Sequence, residues 1–392
     1  MKDSERYDVL IVGAGASGLV CAQAAAARGL RTAVLERNDI PAKKIYATGN
    51  GRCNFTNEGA RFFSETVGIM SRCFGIEAIM EEGRAYPRSL EASSVAEALV
   101  SAAKRAGAEV FCNAHAVKAA LESAGTVQKN GQGFMVECED GRVFSAQALV
   151  LASGGKAGIQ LGCYGEGYRF AQALGHSVIK PIPALDGLVC EEDLSALHGV
   201  RVRTKASLLE APEAEAAYEE LLAEGSGEVQ FTKDAISGIC VMDLSRCVRR
   251  EDGKRFVLSL DLFPEISGEE LVRLFLSRKQ AFGCGLSWLV PEKLKEYLHT
   301  RISASLHGPA AMAAAAKDLR FNITGTRGWK TAQTTCGGVP LGEVDSESFA
   351  SLLVPGLYIT GELLDYDGPC GGFNLDWAIH SGYAAGCSIA AE

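Results

Sequence analysis

Apolar and polar positions along this chain follow two periods. Val9-Leu10-Ile11-Val12 is a short continuous apolar run, small residues at 21–27 suit a closely packed helix, and Thr32-Ala33-Val34-Leu35 forms a second run. Short apolar runs separated by a helix-length segment predict parallel strands covered on both faces, an α/β pattern. It continues to about residue 112, with a helix over 92–106 leading into Glu109-Val110-Phe111-Cys112. Then the pattern changes. Phe134-Met135-Val136-Glu137-Cys138 and Arg142-Val143-Phe144 flank Glu139-Asp140-Gly141, which predicts a β-hairpin. The hairpin runs into Ala148-Leu149-Val150-Leu151-Ala152, a strand ending at Ser153-Gly154-Gly155.

Residues 191–330 read as an insertion. An Ala/Glu-rich segment at 211–224 predicts a helix, 228–243 is β-like, Phe256-Val257-Leu258-Ser259-Leu260 predicts a strand, and helices are expected near 268–282 and 291–300. After about 331 the small, Gly-rich style of the first region returns. The expected division is a first domain over 1–190, a β-rich and helical insert over 191–330, and a return to the first domain over 331–392.

The first strand ends in Gly13-Ala14-Gly15-Ala16-Ser17-Gly18, and the second in Glu36. Gly13 allows the tight turn, Gly15 lets backbone approach a pyrophosphate, and Gly18 permits close helix–strand packing. About 20 residues later, Glu36 can accept hydrogen bonds from both ribose hydroxyls and would repel the extra phosphate of NADP. The dinucleotide is therefore FAD or NAD. Near the C-terminus, Gly356-Leu357-Tyr358-Ile359-Thr360-Gly361-Glu362 is a strand ending in an acidic turn, and Gly371-Gly372-Phe373-Asn374-Leu375 opens a helix. This resembles flavoproteins of the two-dinucleotide-binding type, in which the helix after such a strand points its N-terminus at flavin N1/O2. The resemblance implies FAD, and a helix dipole that stabilises the negative charge of reduced flavin is consistent with it.

Composition narrows the class. The chain has 392 residues, 47% hydrophobic and 22% charged, with a net charge of −9 at pH 7. That balance argues against a broad nucleic-acid surface. Its 13 cysteines lack any CxxC pair, which fits reduced thiols better than disulfides or a metal centre. The N-terminus shows no long apolar run with a cleavage site and no apolar stretch has membrane-span length, so the expected location is cytoplasmic. The expected partner is a small-molecule substrate. No feature of the sequence sets the oligomeric state.

A third block, Lys43-Lys44-Ile45-Tyr46-Ala47-Thr48-Gly49-Asn50-Gly51-Arg52-Cys53-Asn54-Phe55-Thr56-Asn57, carries a family pattern. With the N-terminal GAGASGL and the C-terminal GE-x-LD-x-x-G-x-x-GG-F-N, the chain resembles the BaiN/YhiN-like flavoproteins over essentially its whole length. These are NAD(P)/FAD-dependent oxidoreductases, including aminoacetone oxidase family FAD-binding enzymes. The resemblance implies a Rossmann-like FAD-binding domain of the two-dinucleotide-binding type, interrupted by a β-rich insert with a small helical portion. It also implies that Gly13, Gly15, Gly18, Glu36, Gly49, Arg52, Asn54, Gly361, Glu362, Gly372 and Asn374 line FAD. Flanking positions Ala16, Ser17, Arg37, Lys44, Gly51, Cys53, Ala152, Ser153, Gly154, Gly371 and Phe373 complete the expected set. The chain departs from its relatives at Gly158–Tyr168, where many have Tyr-Pro, and at Phe231-Thr232-Lys233-Asp234-Ala235-Ile236-Ser237-Gly238, where relatives often read F-T-H-x-G-I-S-G.

Arg52, Cys370 and His380 are the catalytic candidates: a forked cation in a Gly-rich loop, a thiol in another, and an imidazole on the last helix. Cys336, His198, His307, Tyr46, Tyr86, Tyr168 and Lys233 carry weaker signals. The expected activity is hydride exchange between flavin N5 and an organic substrate held between the FAD domain and the insert, with NADH or NADPH as a transient electron donor. A flavin-dependent RNA-modifying enzyme and a non-enzymatic flavin redox sensor are the alternatives.

Overall fold

A computed structural model describes residues 5–122, 133–212, 219–248, 254–302 and 308–390. The chain forms two compact units, Met1–Ile182 with Thr334–Glu392, and Pro183–Gln333, each with its own apolar core.

The first unit is built on a seven-stranded sheet in which Glu5–Val12 lies between Thr32–Leu35 and Val143–Leu151, parallel to both. Glu109–Phe111 extends one side in parallel, and Phe134–Cys138 and Ala116–Leu121 extend the other antiparallel. Val143–Leu151 changes neighbours along its length. Its first half pairs with the hairpin strand, and Leu149, Val150 and Leu151 pair in parallel with Leu357, Tyr358 and Ile359. Val9 through Ile11 are fully buried at the sheet centre, as an apolar run without alternation requires.

Helix Ala16–Ala26 crosses the last helix, Phe373–Ser388, at close quarters. A Cβ at Gly382 would stand 2.2 Å from the Ser17 carbonyl oxygen, and one at Gly386 would stand 2.6 Å from that of Cys21. The small residues noted at 21–27 therefore serve helix–helix approach, joining the two chain ends.

The second unit is a closed six-stranded barrel of Leu188–Cys190, Ile236–Ser237, Glu220–Phe231, Arg201–Pro212, Lys254–Asp261 and Leu319–Thr326. It corrects the helix expected over 211–224. Arg201–Pro212 and Glu220–Phe231 are antiparallel strands in register from Arg201↔Gln230 to Glu210↔Glu220, while 213–218 lie outside the described residues. Helix propensity is a weak prior that tertiary strand pairing overrides, and the burial of Thr204, Ala206 and Leu208 follows a period of two. The β-like stretch at 228–243 is also corrected, because Ile239–Ser245 is a helix that starts after Gly238 at φ +111°. The helices Gly268–Phe282 and Glu292–Arg301 form as expected, the first behind a Ser267/Glu270 capping box. Among the described residues, no helix is long and apolar enough to cross a membrane.

Candidate functional site

The carboxyl ends of the parallel strands converge in the first unit. Gly13 N–H donates to the Leu35 carbonyl at 2.8 Å, Ala152 N–H to Val12 at 2.9 Å and Thr360 N–H to Leu151 at 3.1 Å. Chain order reverses beside Glu5–Val12, and such a switch point is where open α/β sheets bind ligands.

The glycines divide their tasks here. A Cβ at Gly13 (φ +108°) would meet the Ala152 carbonyl oxygen at 2.5 Å, and one at Gly18 would meet that of Gly13 at 1.9 Å. These two are required by packing. A Cβ at Gly15 would have nothing within 4 Å, and helix Ala16–Ala26 has no side-chain cap on its first turn. Its N–H groups are left for an anion. Beside the turn, Ser153 Oγ is buried and has no hydrogen-bond partner among the described residues. An open glycine cradle, an uncapped helix start and an orphaned hydroxyl fit the pyrophosphate of a dinucleotide.

Glu36 is buried at the rim of this turn. Its Oε2 accepts from Ala14 N–H at 3.0 Å, and Oε1 accepts from Asn38 N–H at 2.8 Å and Asn38 Nδ2 at 2.7 Å. Arg37 points elsewhere, pairing with Glu166 at 2.5 Å and lying 4.3 Å from the Tyr164 ring centroid. Lys44 Nζ meets Glu362 Oε2 at 2.6 Å, while Glu362 Oε1 accepts from Thr335 N–H at 2.9 Å. Burial works against the Lys44 charge, but the Glu362 carboxylate overcomes it and raises the ammonium pKa. Burial likewise pushes the nearby Tyr168 phenol far up, with Glu362 adding to the shift, so it stays protonated.

The Gly-Arg-Cys-Asn loop turns through left-handed backbone at Gly49, Asn50, Gly51 and Cys53. Non-glycine residues in that region concentrate at ligand sites. Asn54 folds back so that a Cβ at Gly49 would stand 2.8 Å from its Oδ1. Arg52 Nη2 pairs with Glu81 Oε2 at 2.5 Å and its guanidinium lies 4.4 Å from the Tyr86 ring centroid. Burial pushes the Cys53 thiol up to about 11, leaving it a poor thiolate.

This loop meets the start of the last helix. Asn57 Nδ2 donates to the Gly371 carbonyl at 3.0 Å, and a Cβ at Gly372 would stand 2.6 Å from the Thr56 carbonyl oxygen. Asp376, buried in the first turn of the helix, accepts from Thr56 Oγ1 at 2.7 Å and Phe62 N–H at 3.1 Å. Asn374 clasps Gly368 through both its amide oxygen and nitrogen, at 2.9 and 3.0 Å. Phe373 lies against Gly59, and Cys370 is half-buried in the turn before the helix. Gly361 (φ +69°) donates its N–H to Ser381 Oγ at 3.0 Å. Gly154 is left-handed at φ +73° with open space at its Cβ position.

His380 stacks on Phe62 with ring centroids 3.4 Å apart, and burial lowers its pKa. The structure therefore gives it a packing partner. Cys336 is buried, and His307 lies outside the described residues. Sequence reasoning missed Asp376 and Thr335. Thr335 adjoins Cys336, the residue singled out there, but its tie to Glu362 spans 27 positions and no local pattern encodes it.

The fold and this convergence define a Rossmann-type FAD-dependent oxidoreductase. The chain belongs to the HI0933-like protein Rossmann domain family, whose model matches residues 7–75 and 60–388. It is 34% identical to a 3-dehydro-bile acid delta(4,6)-reductase of Clostridium scindens, over 97% of this chain and 98% of that protein. It is 27% identical to a ribosomal RNA dihydrouridine synthase of Escherichia coli, over 97% of both. A solved flavocytochrome c3 fumarate reductase in its open conformation shares the fold with a TM-score of 0.51 and 15% identity, covering 99% of this chain and 78% of that one.

Proposed function

We propose that this enzyme reduces a carbon–carbon double bond conjugated to a carbonyl in a small organic substrate, with NADH or NADPH as the electron donor. The observation that carries the reading is the meeting of the Gly13–Gly18 turn, Glu36 and the Gly361–Asn374 segment at one end of one sheet. FAD, when bound, supplies hydride chemistry at its N5. Glu36 receives the adenosine ribose, exchanging the Ala14 and Asn38 donors for ribose hydroxyls or sharing itself with them. First-turn N–H groups of Ala16–Ala26 hold the pyrophosphate. Gly49–Asn54 and Gly368–Asn374 wall the flavin, and the N-terminus of Phe373–Ser388 favours negative charge at N1/O2. Lys44 and Glu362 anchor the middle of the cofactor.

The substrate class comes from the relatives. A delta(4,6)-reductase acting on a 3-dehydro bile acid and a dihydrouridine synthase share one chemistry, the addition of two hydrogens to a double bond in a ring bearing a carbonyl. The second name favours a second reading, uridine in ribosomal RNA, which the acidic net charge disfavours. Anaerobic mixing of the FAD-loaded protein with NADH and with NADPH, followed by a cyclic enone or by ribosomal RNA, separates the two. Bleaching by a nicotinamide and recovery of colour with the enone is the expected result. Recovery only with RNA selects the second reading, and a protein that binds no FAD overturns both.

A further inference from the structure

Two arginines stand near one carboxylate beside the turn that opens the last helix, and only one of them, Arg52, pairs with it. A small antiparallel sheet of Thr56–Asn57, Arg84–Pro87 and Ala78–Glu81 has the register Asn57↔Arg84, Glu81↔Arg84 and Ile79↔Tyr86. Directly opposed residues project from the same face, and alternate residues of one strand do too, so Asn57, Glu81, Arg84 and Tyr86 stand together. Arg52 takes Glu81 at 2.5 Å and covers the Tyr86 ring. Among the described residues, no hydrogen bond or ion pair engages the Arg84 guanidinium, although Arg84 is half-buried. A Cβ on Gly371 would lie 3.2 Å from Arg84 Nε and 3.6 Å from Asn57 Nδ2, and Asn57 itself donates to the Gly371 carbonyl.

A partly exposed guanidinium that no protein acceptor engages keeps its donors for water or for a ligand. Its five donors form a planar fork suited to anionic oxygen. We propose that Arg84 is the receptor for an anionic oxygen of the substrate: a carboxylate, a phenolate, or the enolate oxygen that develops during reduction. This rests on the placement of the flavin beside the 368–374 turn in the reading above. Hydride addition at the β-carbon of a conjugated carbonyl forms one C–H bond and moves the double-bond electron pair toward the carbonyl oxygen as an enolate. A proton from water then adds at the α-carbon and restores the carbonyl. Arg84 meets the charge where it builds, while Arg52 remains committed to Glu81.

The test titrates the oxidised, FAD-loaded full-length protein with benzoate and with 4-chlorophenolate, followed by the visible flavin spectrum, with benzamide as the uncharged control. Both anions should perturb the spectrum of the parent. Arg84→Gln should weaken both at least tenfold with unchanged FAD content, Arg84→Lys should weaken them less, and benzamide binding should be unaffected. Equal anion dissociation constants in parent and Arg84→Gln, a parent spectrum that neither anion moves, or an equal loss for benzamide would each overturn the assignment. If the flavin is bound and only the Arg84 effect is missing, the receptor is wrong and the proposed function stands. If no FAD is bound, both fall.

Discussion

Ser17 donates a 2.6 Å hydrogen bond to Thr360 Oγ1 across 343 positions of sequence, and both residues are buried. The bond joins the first turn of the glycine-led helix to the end of the C-terminal strand, so each half of the cofactor cradle is held by the other.

Ser17→Ala should destabilise the protein by about 1–3 kcal/mol, because it leaves the Thr360 hydroxyl buried without its partner. Adding Thr360→Val should cost less than the sum of the single changes, since removing both polar partners removes the unsatisfied group. Chemical denaturation of the flavin-free forms measures the cycle, and strictly additive values would show that the two hydroxyls are not coupled.

Glu36→Ala should weaken FAD binding through loss of one or two charge-assisted hydrogen bonds, each about 1.5–3 kcal/mol. It also strips Ala14 N–H of its acceptor, so the glycine turn itself should loosen. Glu36→Gln should fall between parent and Ala. Dissociation constants from fluorescence titration, taken with folded flavin-free controls, decide the point, and an unchanged constant would place the ribose elsewhere.

Arg52→Ala should reduce turnover and shift the flavin potential while leaving much FAD bound, because the proposed ribose and pyrophosphate contacts lie in the N-terminal turn. Glu81→Gln should shift both in the same direction if Arg52 acts through its pairing with Glu81, and Arg52→Lys should restore only part, lacking the planar fork that spans Glu81 and Tyr86. Redox titration and anaerobic stopped-flow reduction supply the measurements. Unchanged potential and rates in Arg52→Ala would reduce the residue to a loop charge.

Stability should decline as pH falls below 6.5, in part through His380. Burial lowers its pKa in the folded state, so the unfolded chain takes up the proton first; the loss begins near 6.5 and ends once the folded form is also protonated. His380→Phe keeps a ring on Phe62 and removes the titration. Its thermal midpoint should depend less on pH between 7.5 and 5.5, and identical slopes for both proteins would refute the assignment.

Much of this was legible locally. The run Val9–Val12, the Gly13–Gly18 spacing and Glu36 each carry their physical requirement within a few residues, because strand burial, turn geometry and helix starts are short-range constraints. The helix near 268–282 and the hairpin at 139–141 were legible for the same reason. The segment at 211–224 was not. Its alanines and glutamates favour a helix in isolation, and only the pairing of Arg201–Pro212 with Glu220–Phe231 and Lys254–Asp261 makes its flanks strands.

The sequence by itself determined that a dinucleotide cradle exists, which cofactor family it suits and which glycines it needs. The tertiary structure decided who stands beside whom. It gave Arg52 to Glu81, Lys44 to Glu362, and His380 to Phe62, and it placed Arg84 beside Gly371 with no acceptor among the described residues. Those assignments join elements as far as 318 positions apart, as in Lys44 and Glu362. Side-chain partnership depends on distance in space, and a linear pattern of residue types holds no record of that distance.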